Sequence, residues 1–195
     1  MTDEASPGSL PIVAVAECGS EDRSRKTLAK LPVVAVPLVV WLFAWSFWAL
    51  WGVFVPILVV ALGRNPRWIW KEIAGFLQYL LRVTAYLSLT VEPFPGYRNR
   101  DHDDYPVSLE LEYPERLSRL LALGRIVLHP LLSLVGLAVI LATAVAAISQ
   151  FFTVLLTGRT ARRLRAFQVR LLDVHGRTFA FLLTLTDELL ARGRS

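Results

Sequence analysis

Charge and cysteine are both scarce in this sequence. Charged residues make up 19% of the 195 residues, below the roughly 25% that is usual for soluble domains. The single cysteine, Cys18, excludes a disulfide bond within the chain. Hydrophobic residues account for 54% of the sequence, and their distribution decides the class of protein.

Two long stretches contain no Asp, Glu, Lys, Arg or His at all. They are residues 33–62 and residues 130–157. Each is longer than the ~20 apolar residues that an α-helix needs to cross a bilayer. The sequence therefore predicts an integral membrane protein. Each stretch is also long enough to tilt, to extend beyond the bilayer, or to bend into a re-entrant hairpin near Pro37, Pro56 or Pro130, and the sequence leaves these alternatives open.

The first 30 residues differ from the rest of the chain in composition. Residues 1–30 are polar, mixed in charge and contain Pro, Gly and Ser, which predicts an unstructured tail. The apolar patch at 10–18 resembles a lipoprotein signal that ends at Cys18, but it lacks a basic region before it. Glu17 also stands where a small residue is expected, so we interpret Cys18 as part of the tail.

Basic residues flank the apolar stretches. The formal net charge is +5, and arginines and lysines cluster before the first stretch and after the second. This placement is typical of contacts with anionic lipid headgroups and not of nucleic-acid binding, for which no motif is present. It predicts a multi-pass protein of the inner (plasma) membrane with its N-terminus in the cytoplasm. Because both stretches have basic residues at both ends, their orientation stays open.

The two halves of the chain resemble each other when one is shifted by 95 residues. The aligned pairs include Gly63 with Gly158, Arg64 with Arg159, Arg67 with Arg162, Arg82 with Arg177, Tyr86 with Phe181 and Glu92 with Asp187. Internal similarity of this kind indicates a duplicated unit. The predicted organisation is a first membrane repeat at 31–95, a connector at 96–115, a second repeat at 116–190 and a short tail at 191–195.

Each half contains a Gly-Arg step after its apolar stretch. Glycine closes a helix in the left-handed conformation, and the following arginine reaches the headgroups with its guanidinium. Each step precedes an amphipathic helix of about 22 residues with a narrow polar stripe. This helix could lie in the headgroup interface or cross the bilayer with its stripe turned towards protein, and the insertion energies favour the interface.

The connector carries a different pattern. Val107, Leu109, Leu111 and Tyr113 alternate with polar residues, which predicts a short strand that Pro114 ends. The predicted fold is therefore an all-α membrane protein of two tandem repeats, each a long hydrophobic helix followed by an amphipathic helix, with a short β segment in the connector.

Several motifs resemble those of the DUF4389 family of bacterial membrane proteins, whose function is unknown. They are "LGRNPRW…LLRVTAYLSLTVEPFP", "VSLELEYPERLSRLL…HP" and "LTGRTARRLRAFQVRLLDVHGRTFAFLLTLTDE", which cover most of residues 25–190. The residues that fit the family pattern are Arg82, Ala85, Tyr86, Glu92, Pro93 and Phe94. The second repeat has Phe181 in place of tyrosine and lacks the prolines. The resemblance implies a membrane location and no particular activity.

Candidate chemical sites are few. The cluster Asp101–Asp104 could bind a divalent metal, but adjacent residues in a loop rarely converge on one ion, so we predict neither a metal nor a cofactor. Ionisable residues at membrane depth are functional candidates by default. We predict contacts with lipid or with a partner subunit for Arg64, Arg67, Gln78, Arg82, Tyr86, Arg159, Arg162, Arg170, Asp173 and Arg177.

The functional expectation follows from these features. We expect a non-enzymatic accessory membrane protein that packs against other integral membrane subunits, for example in a lipid-transport or envelope assembly. The alternative is a self-contained lipid-binding or membrane-shaping protein that contacts anionic headgroups. No catalytic residues are predicted.

Overall fold

A computed structural model of the chain describes residues 12–15, 36, 39, 40, 43, 54–96, 105–115 and 117–187. Most of the first apolar stretch and the Asp101–Asp104 cluster lie outside these residues. The described part is mostly helical. Its elements are β1 (Ile12–Val15), α1 (Val55–Leu62), α2 (Arg67–Leu87), β2 (Val107–Glu110), α3 (Arg119–Thr157) and α4 (Arg162–Leu182).

The two strands form an antiparallel pair. Ile12 lies opposite Glu110, and Val15 lies opposite Val107. β2 confirms the short strand predicted in the connector. The prediction of an unstructured tail over residues 1–30 is wrong for Ile12–Val15. The physical reason is that this segment is β-branched and apolar, so it pairs with an exposed strand edge distant in sequence.

Both glycines of the Gly-Arg steps close a helix, as the sequence predicts. Gly63 (φ 71°) follows α1 and Gly158 (φ 72°) follows α3, each in the left-handed region. The N–H of Gly63 donates to the carbonyl of Val59 at 2.7 Å, and that of Gly158 donates to the carbonyl of Val154 at 2.8 Å. The chain therefore reverses at both steps, and a new helix begins within four residues.

Replacing these glycines with alanine should separate backbone strain from steric contact. Gly158→Ala should destabilise the fold by about 1 kcal/mol, because a Cβ is unfavourable at this backbone angle. Gly63→Ala should cost more, since its Cβ would also lie 3.3 Å from Nε of Arg119, whereas nothing lies within 4 Å at Gly158. Denaturant titration of both purified variants measures this order, and equal losses would contradict it.

Helices α3 and α4 form an antiparallel hairpin. The side-chain amide of Gln168 donates to the carbonyl of Ala146 at 3.2 Å, and Gly136 lies against Phe179 and Leu182 near the other end. The face of α3 that α4 covers is narrow and includes small residues, which let two helices approach closely. Helix α1 also packs against α3, and much of the remaining surface of α3 is apolar and exposed.

The two halves of the chain interlock through the turns that follow α2 and α4. Leu89 (φ 61°) and Thr184 (φ 58°) occupy equivalent left-handed positions, 95 residues apart. The turn after α2 packs against the end of α3, where Leu89 meets Val154. The turn after α4 packs against α1 and α2, where the indole of Trp70 donates to the carbonyl of Leu185 at 3.2 Å. Consequently α2 and α4 run antiparallel.

Helix α2 lies at the centre of the described structure. Its C-terminal half is buried on nearly every side, and Tyr79, Leu81 and Ala85 are inaccessible to solvent. The sequence favours the headgroup interface for the amphipathic helix of the first half, and that location stays a prediction. β2 and α4 cover the C-terminal part of the polar stripe of α2, at Arg82 and Ala85, whereas Lys71 at the other end of the stripe is exposed.

Candidate functional site

The two Gly-Arg steps lie at opposite ends of α3. The first step is held at the start of α3, where the N–H of Leu117 donates to the carbonyl of Gly63 at 3.3 Å. The second step follows directly after Thr157, the last residue of α3. Because α3 contains 39 residues with a rise of about 1.5 Å each, more than 50 Å of helix separates the two steps.

An open groove of about 540 Å³ lies at the first step. Its lining residues are Leu62, Arg64, Pro66, Arg67, Tyr113 and Glu115. The guanidinium carbon of Arg67 lies 5.2 Å from the centre of the Tyr113 ring, a cation–π distance. Thus the structure brings together the two arginines predicted at this step and adds a tyrosine and a carboxylate from the connector.

The second step has a simpler arrangement. Arg159 and Arg162 are exposed, as a contact with headgroups requires. The hydroxyl of Thr157 accepts a hydrogen bond from the backbone N–H of Arg159 at 3.2 Å, which fixes the turn. The two steps therefore share their backbone caps, and the groove described above lies beside the first.

Equivalent arginines on α2 and α4 have different surroundings. Arg82 is 3% exposed, and its Nε donates to the carbonyl of Val107 at 3.2 Å while its guanidinium lies over the Tyr105 ring. Its neighbour Tyr86 is buried against Phe94. Both residues thus support the packing of α2 against the connector, and Gln78 of the same helix is half-buried.

On α4 the predicted stripe is partly accessible. Arg177 forms an ion pair with Asp173 one turn earlier, at 3.0 Å, and both side chains are about one-third exposed. Arg170 lies on the outer face of α4 and is exposed. The stripe therefore divides into an ion pair whose charges cancel and a single outward-facing arginine.

Sequence reasoning missed a buried ion pair that joins α3 to the end of the chain's second half. One guanidinium nitrogen of Arg125 lies 3.1 Å from a carboxylate oxygen of Asp187, and it also donates to the carbonyl of Thr186 at 2.6 Å. The other carboxylate oxygen accepts from the backbone N–H of Ser118 at 2.8 Å. Burial lowers the pKa of Arg125 from its ordinary value, and the charge of Asp187 opposes that shift. The only sequence signal was the alignment of Asp187 with Glu92.

Two buried glutamines face the interior of the helix bundle. Gln168 is 1% exposed and donates to the carbonyls of Ser88 and Ala146, at 3.0 and 3.2 Å. Gln150 is fully buried, and neither its amide nitrogen nor its amide oxygen has a hydrogen-bond partner among the described residues. Gln168 therefore connects both halves of the chain, while Gln150 contributes no such connection.

This contrast yields a paired prediction. Gln168→Leu should destabilise the protein by about 2 kcal/mol, because two buried carbonyls lose their donor. Gln150→Leu should be neutral or stabilising by about 1 kcal/mol, because a buried amide without a partner is replaced by a side chain of similar volume. In denaturant titrations, the free energy of unfolding should fall for Gln168→Leu and stay equal or rise for Gln150→Leu. An equal loss of stability in both variants would contradict the hydrogen bonding described here.

Within the described ranges, no group of three or more His, Cys, Asp or Glu side chains is placed to hold a metal ion. No family model, curated protein or solved structure matches this chain.

Proposed function

We propose that this chain is an integral membrane protein whose helix α3 crosses the bilayer. The 25 residues Ser133–Thr157 are long and apolar enough for this, and an 18-residue window within them has a mean hydropathy of 2.2. At about 1.5 Å per residue the 25 residues exceed the ~30 Å hydrocarbon core. Only 28% of that window is buried, so most of its apolar surface is available to lipid.

Three hydroxyl side chains of α3 suit an apolar environment. The hydroxyls of Ser149, Thr153 and Thr157 each donate to the carbonyl four residues earlier, at 2.7–2.8 Å. In a bilayer core every polar group requires an internal partner, because no water is available. These hydroxyls therefore impose little penalty on the exposed face of α3.

The two halves are proposed to be tandem repeats with opposite orientations. This proposal is supported by the equal lengths of α2 and α4, 21 residues each, and by the left-handed turns at equivalent positions. It is supported further by the antiparallel course of α2 and α4. With opposite orientations, the two basic Gly-Arg steps lie near opposite membrane surfaces, which accounts for arginines at both ends of the apolar stretches.

Arg170 carries the functional proposal. Its level in the bundle follows from α4's antiparallel packing: Gln168 lies beside Ala146, and Phe179 lies beside Gly136. Arg170 is therefore level with the middle of Ser133–Thr157, and it is exposed. An unpaired arginine facing lipid at that depth costs about 3 kcal/mol, so it calls for a partner with a negative or polar group.

The proposed function is that of a non-enzymatic accessory subunit. The outer face of α4 packs against another integral membrane protein that presents a carboxylate to Arg170, while α3 faces lipid. A larger membrane complex, such as a lipid-transport or envelope assembly, is the proposed setting in the plasma membrane. The DUF4389 resemblance is compatible with this role and adds no activity to it.

Site-specific photo-crosslinking in intact membranes tests this function. A photoreactive residue at Ala166, one turn from Arg170, should form a discrete crosslink to another membrane protein, and Arg170→Leu should abolish it. The same probe at Val145, on the exposed apolar face of α3, should crosslink lipid alone. Arg163→Leu is the matched control for loss of an exposed arginine.

The outcomes separate the two candidate functions. A crosslink from Ala166 that persists in Arg170→Leu would contradict the role of Arg170. Lipid crosslinks at both positions, together with a protein that tubulates liposomes by itself, would overturn the accessory role. They would favour the alternative, a self-contained lipid-binding protein, which the arginine-lined groove at the first step supports.

A further inference from the structure

The groove at the first Gly-Arg step combines charges of both signs beside an apolar surface. Arg64, Arg67 and Glu115 are exposed at its rim, and Leu62 belongs to the end of an apolar helix. Among the described residues, none forms an ion pair with any of these three charged side chains. Two cations and one anion are therefore available together to a molecule in the groove.

One wall of the groove is fixed in position. The hydroxyl of Tyr113 donates to the carbonyl of Asn65 at 2.5 Å, and its ring meets the edge of Trp70 at 5.4 Å between centroids. The Arg67 guanidinium stacks on the same ring. This preorganisation lowers the ordering penalty for a ligand that binds the guanidinium, because Arg67 is already oriented.

The start of α2 adds favourable electrostatics for a phosphate. Pro66 is the N-cap residue, no side chain caps the helix, and its first turn contains no acidic residue. The free N–H groups and the positive end of the helix dipole therefore face the same region as the two arginines. Arginine is well suited to phosphate because its planar fork binds two oxygens at once.

The carboxylate of Glu115 distinguishes this groove from a simple anion site. A purely anionic headgroup would be attracted by the arginines and repelled by Glu115. A headgroup that carries a phosphate and a primary ammonium matches all three charges. The ammonium donates three hydrogen bonds, whereas a quaternary amine donates none, so Glu115 selects between them.

We propose that this groove binds the headgroup of a zwitterionic aminophospholipid of the phosphatidylethanolamine type. Arg64 and Arg67 bind the phosphate, Glu115 accepts hydrogen bonds from the ammonium, and the acyl chains continue along the apolar side of the groove at Leu62. This inference rests on the proposed membrane location and specifies the lipid that one end of the bundle recognises.

Native mass spectrometry of the detergent-purified full chain tests the proposal. Phosphatidylethanolamine, phosphatidylcholine and phosphatidylglycerol with identical acyl chains are titrated separately, and the apparent affinity of the first bound lipid is measured. We expect phosphatidylethanolamine to bind about tenfold more tightly than the other two. Glycerophosphoethanolamine and inorganic phosphate, titrated in the same way, test for a soluble ligand and should not bind measurably.

Variants assign the selectivity to the groove. Arg64→Gln combined with Arg67→Gln should lower phosphatidylethanolamine affinity about tenfold. Glu115→Gln should remove the preference over phosphatidylglycerol while retaining binding. Arg163→Gln, an exposed arginine on α4 at the far end of α3, should change nothing. Circular dichroism and elution volume verify that each variant is folded.

The outcomes are distinct. Equal affinity for the three lipids in the wild type, undiminished phosphatidylethanolamine affinity in the double arginine variant, or a headgroup preference that persists in Glu115→Gln overturns the proposed site. Binding of the soluble headgroup as tightly as the lipid overturns the lipid as the ligand. These results leave the membrane location unaffected, because a protein that purifies only in detergent and reconstitutes into bilayers is membrane-embedded whether or not the groove is selective.

Discussion

Val145→Arg is expected to prevent stable membrane insertion, while Val127→Arg on the same helix leaves insertion intact. The two valines are 64% and 72% exposed, and they lie on the same face of α3 because 18 residues make five full turns. Val145 is at the centre of Ser133–Thr157, where an arginine costs about 3 kcal/mol, or more than a hundredfold in the insertion equilibrium. The fraction that resists alkaline extraction from membranes measures the effect.

Because Val127 lies on the same face of α3 but outside Ser133–Thr157, comparing the two variants shows whether lipid surrounds the centre of the helix. In water, both substitutions would be surface changes worth less than about 0.5 kcal/mol, and the two variants would behave alike. If Val145→Arg remained fully membrane-associated and as stable as Val127→Arg, α3 would not have lipid around its centre. The proposed location would then be wrong, irrespective of the helical fold.

The second large effect concerns the buried ion pair. Asp187→Asn should lower the free energy of unfolding by about 3 kcal/mol, because the Arg125 side chain, 2% exposed, would keep its charge without a counterion. Tryptophan fluorescence during denaturant titration in detergent can measure this, since the chain has six tryptophans. Asp173→Asn is the control: its ion pair with Arg177 is about one-third exposed and should contribute only about 0.5 kcal/mol.

A double substitution checks the cause of that loss. Replacing both partners, as in Arg125→Met with Asp187→Leu, should recover most of the stability, because an apolar pair leaves no buried charge. Equal losses of unfolding free energy in Asp187→Asn and Asp173→Asn would instead show that water or another group compensates the charge of Arg125. The pair matters for architecture, because it ties the segment after α4 to the beginning of α3.

The turn that ends each half packs against the other half, and these contacts hold the bundle together. Gln168 of α4 donates to Ser88 after α2, and Trp70 of α2 donates to Leu185 after α4. Neither helical hairpin can therefore separate without exposing the turn of the other. In a membrane, such interhelical hydrogen bonds add to close packing as the forces that hold helices together.

Local features of the fold were predictable from the sequence. Glycine after an apolar stretch indicates a left-handed cap, and Gly63 and Gly158 both adopt it. The alternation at Val107 and Leu109 indicates a strand, and β2 begins there. These predictions succeed because each depends on the conformational preferences of a few neighbouring residues.

Contacts between distant residues were not predictable in the same way. The partner of β2 lies 95 residues earlier, and Asp187 lies 62 residues after Arg125. A helical stripe also does not reveal what covers it: Arg82 and Arg177 occupy equivalent positions, yet one is buried beside Val107 and the other is accessible. Only the three-dimensional packing distinguishes a stripe that faces protein from one that faces outward.

The candidate site was predicted in part. The sequence predicts Arg64 and Arg67, because an arginine after a helix cap can reach headgroups, and both line the groove. It does not predict Tyr113 and Glu115, because the connector contains no binding motif. Their contribution arises from the position of the connector beside the start of α2.

The central claim, that α3 crosses the bilayer, is tested most directly by the sidedness of its two ends. In a Cys18→Ser background, single cysteines replace Arg119, the first residue of α3, and Arg163, which follows the end of α3; both are exposed. A membrane-impermeant maleimide is applied to intact cells or sealed vesicles, and then after permeabilisation. If α3 crosses the bilayer, the two cysteines are labelled from opposite faces of the membrane. Labelling of both from the same face would contradict it.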